Sequence, residues 1–506
     1  MAIVLDGKSL TLETFQEIVD QRASVALSTK AREKILKSRG FVEKAVLSGE
    51  KLYSINTGYG ILSKVTIPRE ALDELQVNFI RSHCAGIGEP HSERESRAIL
   101  LLRANVLASG FCGVRVELVE LLIEMLNRGV HPRIPRGGSV GSSGDLAPLA
   151  HLASVLIGEG EAFFEGRLCG GKEALEKAGL TPIRLAPKEG LSLCNGTQQM
   201  AAMGSLLLFK AEALADLADL VCATSLEGIL GSPRAYADWV HETRPFPGQI
   251  QSAKNLRELM RESEIYASHV SCDRVQDPYS LRCAPQVHGA CRDLLSFVRK
   301  TLSTEINAVT DNPLVNPETG EITSNGNFHG QPLAFALDIL AMAVSELANI
   351  SERRIVKLLN PVFSELPTFL VKNEGLHSGY MIPQYTAASL VVENRVLCHP
   401  ASTDSVPTNN DKEDHNSMGP ISARKAQKVI ENVEYVLAIE CLTACQAIDF
   451  RKPLKPGRGP HFLHSFIRKE IPSLEKDRYQ HFDIEKVRNM IRDGEIVKAA
   501  KDNGLW

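Results

Sequence analysis

The segment from Gly137 to Gly144 is too poor in side chains for a packed core but is suited to chemistry. Four glycines and three serines occupy seven of its eight positions, with Val140 in the other, and a helix-like run follows Asp145. The glycines give the backbone freedom, while serine hydroxyls and peptide groups supply the reactive atoms. We call residues 137–144 the Ser-Ser-Gly loop. Because Pro132 and Pro135 precede it, we expect no regular strand or helix to lead into the loop.

Three kinds of chemistry compete for this loop. A phosphate-binding loop is disfavoured, because Asp145 stands where a lysine would be needed and would repel phosphate. A serine hydrolase would use Ser139 of the G-x-S-x-G sequence, but such a nucleophile must follow a strand. In the third, the amide nitrogen of Gly144 attacks the carbonyl of Ser142, and loss of water with dehydration of Ser143 leaves an exocyclic methylidene. Glycine permits the close approach, and only a β-hydroxyl can leave.

Other loops carry side chains suited to acid–base chemistry and ligand binding. Tyr53 lies beside Gly58 and Gly60, where a phenol could act as an acid or a base, although a surface turn also explains these glycines. His83 lies at the end of a predicted helix, where a single histidine is more often structural than ligand-binding. Four further loops are rich in Arg, Tyr, Gln, Asn, Glu and His, side chains that orient small polar ligands. They are residues 273–286, 307–315, 324–332 and 403–420.

Helices must position these loops. Apolar residues recur at helical spacing over 93–108 and 115–128, and longer apolar helices are predicted over 200–230, 332–359 and 422–448. In the helix predicted over 332–359, apolar side chains recur at alternating intervals of four and three residues and form a seam for packing helix against helix. The seam consists of Leu333, Leu337, Leu340, Val344 and Leu347.

The Ser-Ser-Gly loop is expected at the N-terminus of a helix. Asp145 is a plausible N-cap, and Pro148 is tolerated in the first turn. Peptide dipoles at such a position favour negative charge, which suits an electrophilic centre or a bound anion.

The fold class predicted is mainly α, with a long-helix bundle core, an N-terminal subdomain that carries the loop, and few short strands. We expect an N-terminal domain over 1–200, the central bundle over 201–470 and a charged helical tail over 471–506. Helices this long and apolar indicate a core shared between subunits.

Composition favours a small-molecule enzyme. The chain has 506 residues, is 43% hydrophobic, and carries a net charge of −4, which makes no electrostatic case for nucleic acid or an anionic membrane. The eleven cysteines form no C-x-x-C pair and no zinc pattern, which is typical of a cytoplasmic protein. The N-terminus lacks a signal-peptide pattern, and charges are expected to interrupt each long apolar stretch before it could span a membrane.

Several long motifs along almost the whole chain give a close resemblance. The chain resembles the aromatic amino acid ammonia-lyases and aminomutases, and among them the histidine ammonia-lyases, which build a methylidene-imidazolone (MIO) from an Ala-Ser-Gly loop. The motifs are YSINTGYG, SHCAGIG, GSVGSSGDLAPLAH, NGTQ, QDPYSLRC, TDNPLV, GNFHGQP, SERRI and EDHNSMGP.

The resemblance implies a role for each matching residue. It assigns the MIO to Ser142, Ser143 and Gly144, formed without any external cofactor or metal. The substrate amine would add to the methylidene, so that ammonia leaves more readily. Tyr53 resembles the base that removes the β-proton, and we expect the site to lower the pKa of its phenol.

The remaining matches imply substrate contacts. Arg282 resembles the arginine that binds the substrate carboxylate through the N–H donors of its planar guanidinium group. Tyr279 and Gln276, with Asn195, resemble residues that hold the MIO and the substrate, and Phe328 resembles an aromatic wall. The family also implies a homotetramer whose active sites draw loops from three subunits.

Substrate choice depends on Ser82-His83 and Glu413 in this resemblance. Histidine-specific members show Ser-His at the first pair, whereas tyrosine- and phenylalanine-specific members show His-Leu and Phe-Leu. An imidazole needs hydrogen-bond partners, which His83 and Glu413 could supply, while a phenyl ring would leave both unpaired. The expected reaction is deamination of L-histidine to trans-urocanate and ammonia, the first step of histidine degradation.

Two positions depart from the family pattern. Ser142 replaces the usual alanine, which leaves ring closure intact, and Lys412 replaces a glutamine, where its charge could pair with Glu413. Alternatives are therefore an ammonia-lyase or 2,3-aminomutase for another aromatic amino acid, a hydrolase through Ser139, and a helical oligomeric scaffold without catalysis.

Overall fold

The computed structural model describes residues 2–49 and 51–505. Helices make up most of the chain, and the strands are only two to four residues long. The prediction of a mainly α fold with few short strands is confirmed. In chain order the α-helices are α1 (Leu12–Asp20), α2 (Thr29–Ser48), α3 (Leu72–His83), α4 (Glu93–Ala108), α5 (Val116–Arg128), α6 (Ala147–Leu156), α7 (Gly171–Lys177), α8 (Glu189–Cys194), α9 (Gln198–Gly228), α10 (Asp238–Glu242), α11 (Pro247–Leu259), α12 (Glu264–Ala267), α13 (Tyr279–Arg282), α14 (Ala284–Glu305), α15 (Gln331–Leu359), α16 (Pro361–Ser364), α17 (Met381–Leu397), α18 (Gly419–Phe450), α19 (Arg458–Arg468), α20 (Gln480–Arg492) and α21 (Glu495–Asp502).

The strands pair in four small sheets. β1 pairs in parallel with β2, β3 pairs with β5, β4 with β6 and β6 with β7, and β8 with β9, all but the first antiparallel. The strands are β1 (Ile3–Leu5), β2 (Val25–Leu27), β3 (Ile87–Pro90), β4 (His131–Pro132), β5 (Pro135–Gly137), β6 (Glu161–Phe164), β7 (Arg167–Gly170), β8 (Leu314–Val315) and β9 (Ile322–Thr323).

Two of these strands lie just before the Ser-Ser-Gly loop, so the expectation of no strand there is wrong. Pro132 ends β4 and Pro135 begins β5. Proline is compatible with the end positions of such short strands, where the missing N–H removes little from the ladder.

The chain forms two compact units, each assembled from three segments. The first unit comprises Met1–Leu206, Arg299–Leu337 and Pro400–Arg424, and it contains the Ser-Ser-Gly loop. The second unit comprises the segments Leu207–Val298, Asp338–His399 and Lys425–Trp506. The division of the chain at residues 200 and 470 remains a prediction.

The predicted long helices are confirmed with small shifts at their ends. They correspond to α4, α5, α9, α15 and α18, and α4 begins with a capping box between Ser92 and Glu95. The whole apolar seam of α15 is buried. Among the described helices, α15 alone is long and apolar enough to cross a membrane, and 72% of its most apolar window is buried in the protein. The expectation that charges interrupt every long apolar stretch is wrong for α15, which is a core helix.

Buried ion pairs connect the long helices of the second unit. The guanidinium of Arg354 donates to both carboxylate oxygens of Glu440 at 2.5 and 2.8 Å, and Ser225 donates to the same carboxylate at 2.6 Å. Asp219 accepts from Arg292 at 2.7 Å and lies 2.8 Å from the ring nitrogen Nδ1 of His288. Because a buried charge without a partner is strongly destabilising, these contacts specify how α9, α14, α15 and α18 pair within the unit.

Candidate active site

The Ser-Ser-Gly loop is pressed against the backbone at Gly196. Gly144 has a φ of +77°, and a β-carbon at this position would lie 2.1 Å from the carbonyl oxygen of Gly196. The amide of Asp145 donates to that same oxygen at 2.7 Å. Only glycine fits position 144, as ring closure through its nitrogen requires. Ser142, Ser143 and Gly144 therefore fit an MIO precursor.

Asp145 binds the start of α9 rather than the start of α6. Its Oδ2 accepts a hydrogen bond of 2.6 Å from the amide of Gln199, while Leu146, with a φ of +44°, is the residue before α6. The prediction of Asp145 as the N-cap of α6 is wrong, because its carboxyl group accepts a hydrogen bond from an amide at the start of α9 instead. Burial raises the pKa of Asp145 to about 8.

Asn195 joins the loop to its surroundings. In the amide orientation that satisfies both polar atoms, it donates to the carbonyl oxygen of Ser143 at 3.3 Å and accepts from the amide of Asn312 at 3.0 Å. Its own carbonyl accepts from Nη1 of Arg103 at 2.7 Å, and that nitrogen also donates to Gln198 at 2.7 Å. Arg103 is fully buried in α4. Sequence reasoning missed it, although an arginine inside the apolar run LLLRANVLA was a usable signal.

Tyr53 lies within electrostatic reach of Glu413. Its hydroxyl accepts a hydrogen bond of 3.2 Å from the amide of Gly60. Burial and the negative charge of Glu413 raise the pKa of the Tyr53 phenol, and the hydrogen bond from Gly60 offsets only part of this effect. The expectation that the site lowers this pKa is therefore wrong for the surroundings that the first unit provides.

His83 is the last residue of α3 and is held in one tautomer. Its Nδ1 lies 2.8 Å from the carbonyl oxygen of Phe79, and its ring stacks on the Phe79 ring with centroids 3.9 Å apart. A carbonyl only accepts, so Nδ1 carries the proton and Nε2 is left as an acceptor. Burial lowers the pKa of His83, which keeps the ring neutral near pH 7.

Glu413 is held by uncharged donors. Ser142 donates its hydroxyl proton to Oε2, Thr408 donates to the same oxygen at 3.0 Å, and Asn409 donates to Oε1 at 3.0 Å. No ion pair joins Lys412 to Glu413 within the part of the chain that the structure describes. The expectation that Lys412 could pair with this carboxylate is not met. Sequence reasoning also missed Thr408 and Asn409, which lie five and four residues before Glu413, where the motif EDHNSMGP begins.

A cavity of about 820 Å³ lies in front of these groups. Its lining includes His83, Glu413 and Asn409, together with the apolar ring of Phe79 and Leu146 next to the loop. The acceptors on His83 and Glu413, beside apolar side chains such as Phe79, suit a small ring that carries N–H groups.

The other predicted site residues lie elsewhere in the chain. Phe328 is half-buried in the first unit. Gln276 and Arg282 of the second unit line a separate cavity of about 190 Å³. The guanidinium of Arg282 lies 4.5 Å from the ring centre of Tyr279, and its Nε donates to the carbonyl oxygen of Asp277 at 3.1 Å. The first unit thus brings Tyr53, His83, Ser142, Ser143, Gly144, Asn195 and Glu413 together, and the second unit groups Gln276, Tyr279 and Arg282.

Ser139 does not form a hydrolase site. Its hydroxyl accepts from the amide of Gly141 at 3.2 Å. The strand before it, β5, pairs with β3 in an antiparallel two-stranded sheet. A nucleophile elbow instead lies on a strand-to-helix turn at the top of a larger α/β-hydrolase sheet.

Comparison with known proteins agrees with the geometry of the loop. The family model for aromatic amino acid lyases matches residues 10–469, and the chain belongs to this family. A histidine ammonia-lyase of Anaeromyxobacter dehalogenans (strain 2CP-C) is 54% identical to it over 504 residues, covering 98% of this chain and 99% of the relative.

Two solved structures show the same fold. The crystal structure of a histidine ammonia-lyase from Trypanosoma cruzi superposes with a TM-score of 0.91 at 43% identity and covers 99% of this chain and 95% of its own. A tyrosine aminomutase from Streptomyces globisporus superposes with a TM-score of 0.93 at 39% identity and covers 99% of each chain. Membership of this family leaves no place for the hydrolase interpretation of Ser139.

Proposed function

We propose that this protein deaminates L-histidine to trans-urocanate and ammonia without oxidation, the first step of histidine degradation. The observation that carries the proposal is the pair of acceptors, Nε2 of His83 and the carboxylate of Glu413, on a cavity next to the Ser-Ser-Gly loop. The named relatives act on histidine or tyrosine. An imidazole ring protonated at both nitrogens has two N–H groups and pairs with both acceptors, whereas the phenol of tyrosine has a single O–H and would leave one of them unpaired.

The chain itself would supply the electrophile. Attack of the Gly144 nitrogen on the Ser142 carbonyl, followed by loss of two water molecules, converts residues 142–144 into the MIO. The tight contact of Gly144 with Gly196 supports this step, because it holds the backbone in the required bend. Once formed, the group supplies an electrophile for the substrate amine, which makes ammonia a better leaving group.

The side chains around the loop then have separable tasks. Tyr53 takes the β-proton of the substrate at its phenolic oxygen, and its raised pKa makes that oxygen a strong base once ionised. Arg282 binds the substrate carboxylate through two parallel N–H groups. Asn195 and Gln276 orient the reacting end, Tyr279 stacks beside Arg282, and Phe328 provides an apolar wall.

We also propose a homotetramer in which several subunits contribute to each active site. On α17, one face carries exposed apolar side chains at helical spacing, opposite the buried face. Such a face is covered in most stable assemblies, here by further copies of the chain. The exposed apolar residues are Ile382, Tyr385, Val392 and Val396.

A cytoplasmic location completes the proposal. All eleven cysteines are free thiols, and seven of them lie in or next to helices α9, α14, α17, α18 and α8. Free thiols in this number are typical of a reducing compartment.

Intact-protein mass spectrometry and a substrate panel test the proposal. We expect the purified chain to be lighter than its sequence by two water molecules, and the Ser143→Ala variant to have the unmodified mass and no activity. Histidine should yield urocanate, with phenylalanine and tyrosine far slower. An unmodified mass would contradict the lyase mechanism, faster turnover of phenylalanine or tyrosine would assign another substrate, and a β-amino acid product would indicate an aminomutase.

A further inference from the structure

The carboxylate of Glu413 is the centre of a network that joins three segments of the first unit. The donors come from Ser142 of the Ser-Ser-Gly loop and from Thr408 and Asn409 of the segment before Glu413. Asn409 in turn accepts from the amide of Ile61 at 3.2 Å. The backbone of Glu413 is also fixed, because its carbonyl accepts from the amide of Thr408 at 2.9 Å.

We propose that Ser142 is a positioning residue for substrate recognition, because its hydroxyl holds the Glu413 carboxylate so that one acceptor position faces the substrate imidazole. The inference rests on the proposed function and deepens it. A chain with the usual alanine at this position has only the Thr408 and Asn409 donors for the same task.

The number of acceptor positions supports this role. An ionised carboxylate can accept about four hydrogen bonds, two at each oxygen. Ser142 and Thr408 occupy both positions on Oε2, and Asn409 occupies one on Oε1. Among the described contacts the remaining position is therefore on Oε1, where Glu413 can accept an imidazole N–H.

The same carboxylate lies within electrostatic reach of the other ring-binding group. Burial lowers the pKa of His83, and the charge of Glu413 partly opposes that effect. Both side chains line the 820 Å³ cavity. The two groups therefore face the same space, and a carboxylate that is free to rotate would lose its alignment with His83.

Ring formation does not consume the Ser142 hydroxyl. Cyclisation uses the carbonyl carbon of Ser142, the nitrogen of Gly144 and the hydroxyl of Ser143. The hydroxymethyl group of Ser142 stays on the carbon next to the ring. The donor that meets Glu413 in the unprocessed chain is thus still available in the mature enzyme.

Binding of two unreactive acids separates this role from general stability. Imidazolepropionate carries the N–H that Glu413 would accept, whereas phenylpropionate has the same chain without it. We expect Ser142→Ala to raise the Kd for imidazolepropionate about threefold to tenfold, as loss of one hydrogen bond of typical net strength implies. The Kd for phenylpropionate should not change. Isothermal titration calorimetry measures both, and intact mass shows that the ring has formed.

Matched variants make the result specific. Ser139→Ala removes a hydroxyl from the same loop that bonds to Gly141 instead, so it should not discriminate between the two ligands. Ser142→Thr should restore the wild-type ratio of the two Kd values. In a Glu413→Ala background, Ser142→Ala should have no further effect on imidazolepropionate binding, because the two residues act as one unit.

Several outcomes would overturn the inference. Equal changes in both Kd values, an unchanged Kd for imidazolepropionate, or an undiminished effect in the Glu413→Ala background would each show that Ser142 does not position Glu413. If Ser142→Ala is not processed, the same comparison in the Ser143→Ala background gives the answer, since neither chain then forms the ring. Failure of the proposed function is distinct, because wild-type enzyme would then lack the mass loss or produce no urocanate.

Discussion

At the scale of single residues, burial shifts the pKa of two groups in the first unit, His83 and Tyr53. His83 is neutral because burial lowers its pKa, and it presents Nε2 as an acceptor because its Nδ1–H donates to the carbonyl oxygen of Phe79. Glu413 lines the same cavity as a second acceptor and is held by neutral donors. Tyr53 is protonated at neutral pH, because burial and the charge of Glu413 both raise its pKa.

Replacing Tyr53 tests its role as the base. We expect Tyr53→Phe to lower kcat for histidine by about 10²- to 10⁴-fold, the usual contribution of a positioned base. Because the pKa of Tyr53 is raised, the phenolate fraction grows with pH, so kcat/KM of the wild type should rise through the alkaline range. Rate–pH profiles and intact mass check both points. A processed Tyr53→Phe chain with the wild-type profile would exclude Tyr53 as the base.

At the scale of elements, the Ser-Ser-Gly loop is shaped by the starts of two helices. α6 begins three residues after Gly144, and Asp145 bonds to the start of α9. Gly196, two residues before α9, closes against Gly144. The loop owes its bend to these contacts and not to glycine flexibility alone.

The contact at Gly144 gives a prediction with a matched control. Gly144→Ala places a β-carbon 2.1 Å from the Gly196 carbonyl oxygen, so we expect an unmodified intact mass and no urocanate. Gly166→Ala is the control, since Gly166 has a similar φ of +73° but no atom within 4 Å of its β-carbon. It should cost only about 1 kcal/mol of stability and leave the mass loss intact. A processed Gly144→Ala chain would contradict the steric requirement.

Asp145 predicts a pH dependence of stability. Burial raises its pKa to about 8 in the fold, above the ordinary value of 3.8, so the native state holds a proton that the unfolded chain releases. The stability from this group is complete below about pH 4 and is lost as the pH rises through about 8. The melting temperature of the wild type should therefore fall relative to that of Asp145→Asn between about pH 5 and about pH 8. If the melting temperatures of the two proteins changed in parallel with pH across this range, Asp145 would be ionised in the fold.

At the scale of the whole molecule, the predicted site residues are divided between two compact units. The ring precursor and the imidazole-binding pair belong to the first, and Arg282 with Tyr279 belongs to the second. Tyr279 is 71% exposed, which suits a group that acts in an assembly. The exposed apolar face of α17 is a surface on which such an assembly could form.

Charges on this face test the assembly. Val392 and Val396 on α17 are 53% and 73% exposed. The double variant Val392→Asp/Val396→Asp should sediment as species smaller than a tetramer and lose at least about tenfold in histidine turnover, because aspartates would be buried unpaired at the contact. Leu168→Asp, at a 46% exposed position on β7, is the control and should stay tetrameric. A tetrameric, active double variant would place the interface elsewhere.

The long helices and the type of loop were predictable from local patterns. The apolar seam of α15 lies within a few turns of one helix, so spacing alone identified it. The motifs also placed Tyr53, His83 and Glu413 as candidates. The expectation of no strand next to the prolines and the N-cap assignment of Asp145 were wrong, because both features depend on partners distant in the sequence.

The sequence by itself determined the chemistry that is available: a Ser-Ser-Gly backbone able to cyclise, a phenol, an imidazole and a carboxylate, carried by a mainly helical chain. Only the tertiary structure decided which of them meet. It brought Ser142 to Glu413 across 271 positions and directed Asp145 to α9. It also raised the pKa of Tyr53 where a lower value was expected. The physical reason is that hydrogen bonding and desolvation depend on neighbours in space, which local sequence patterns do not specify.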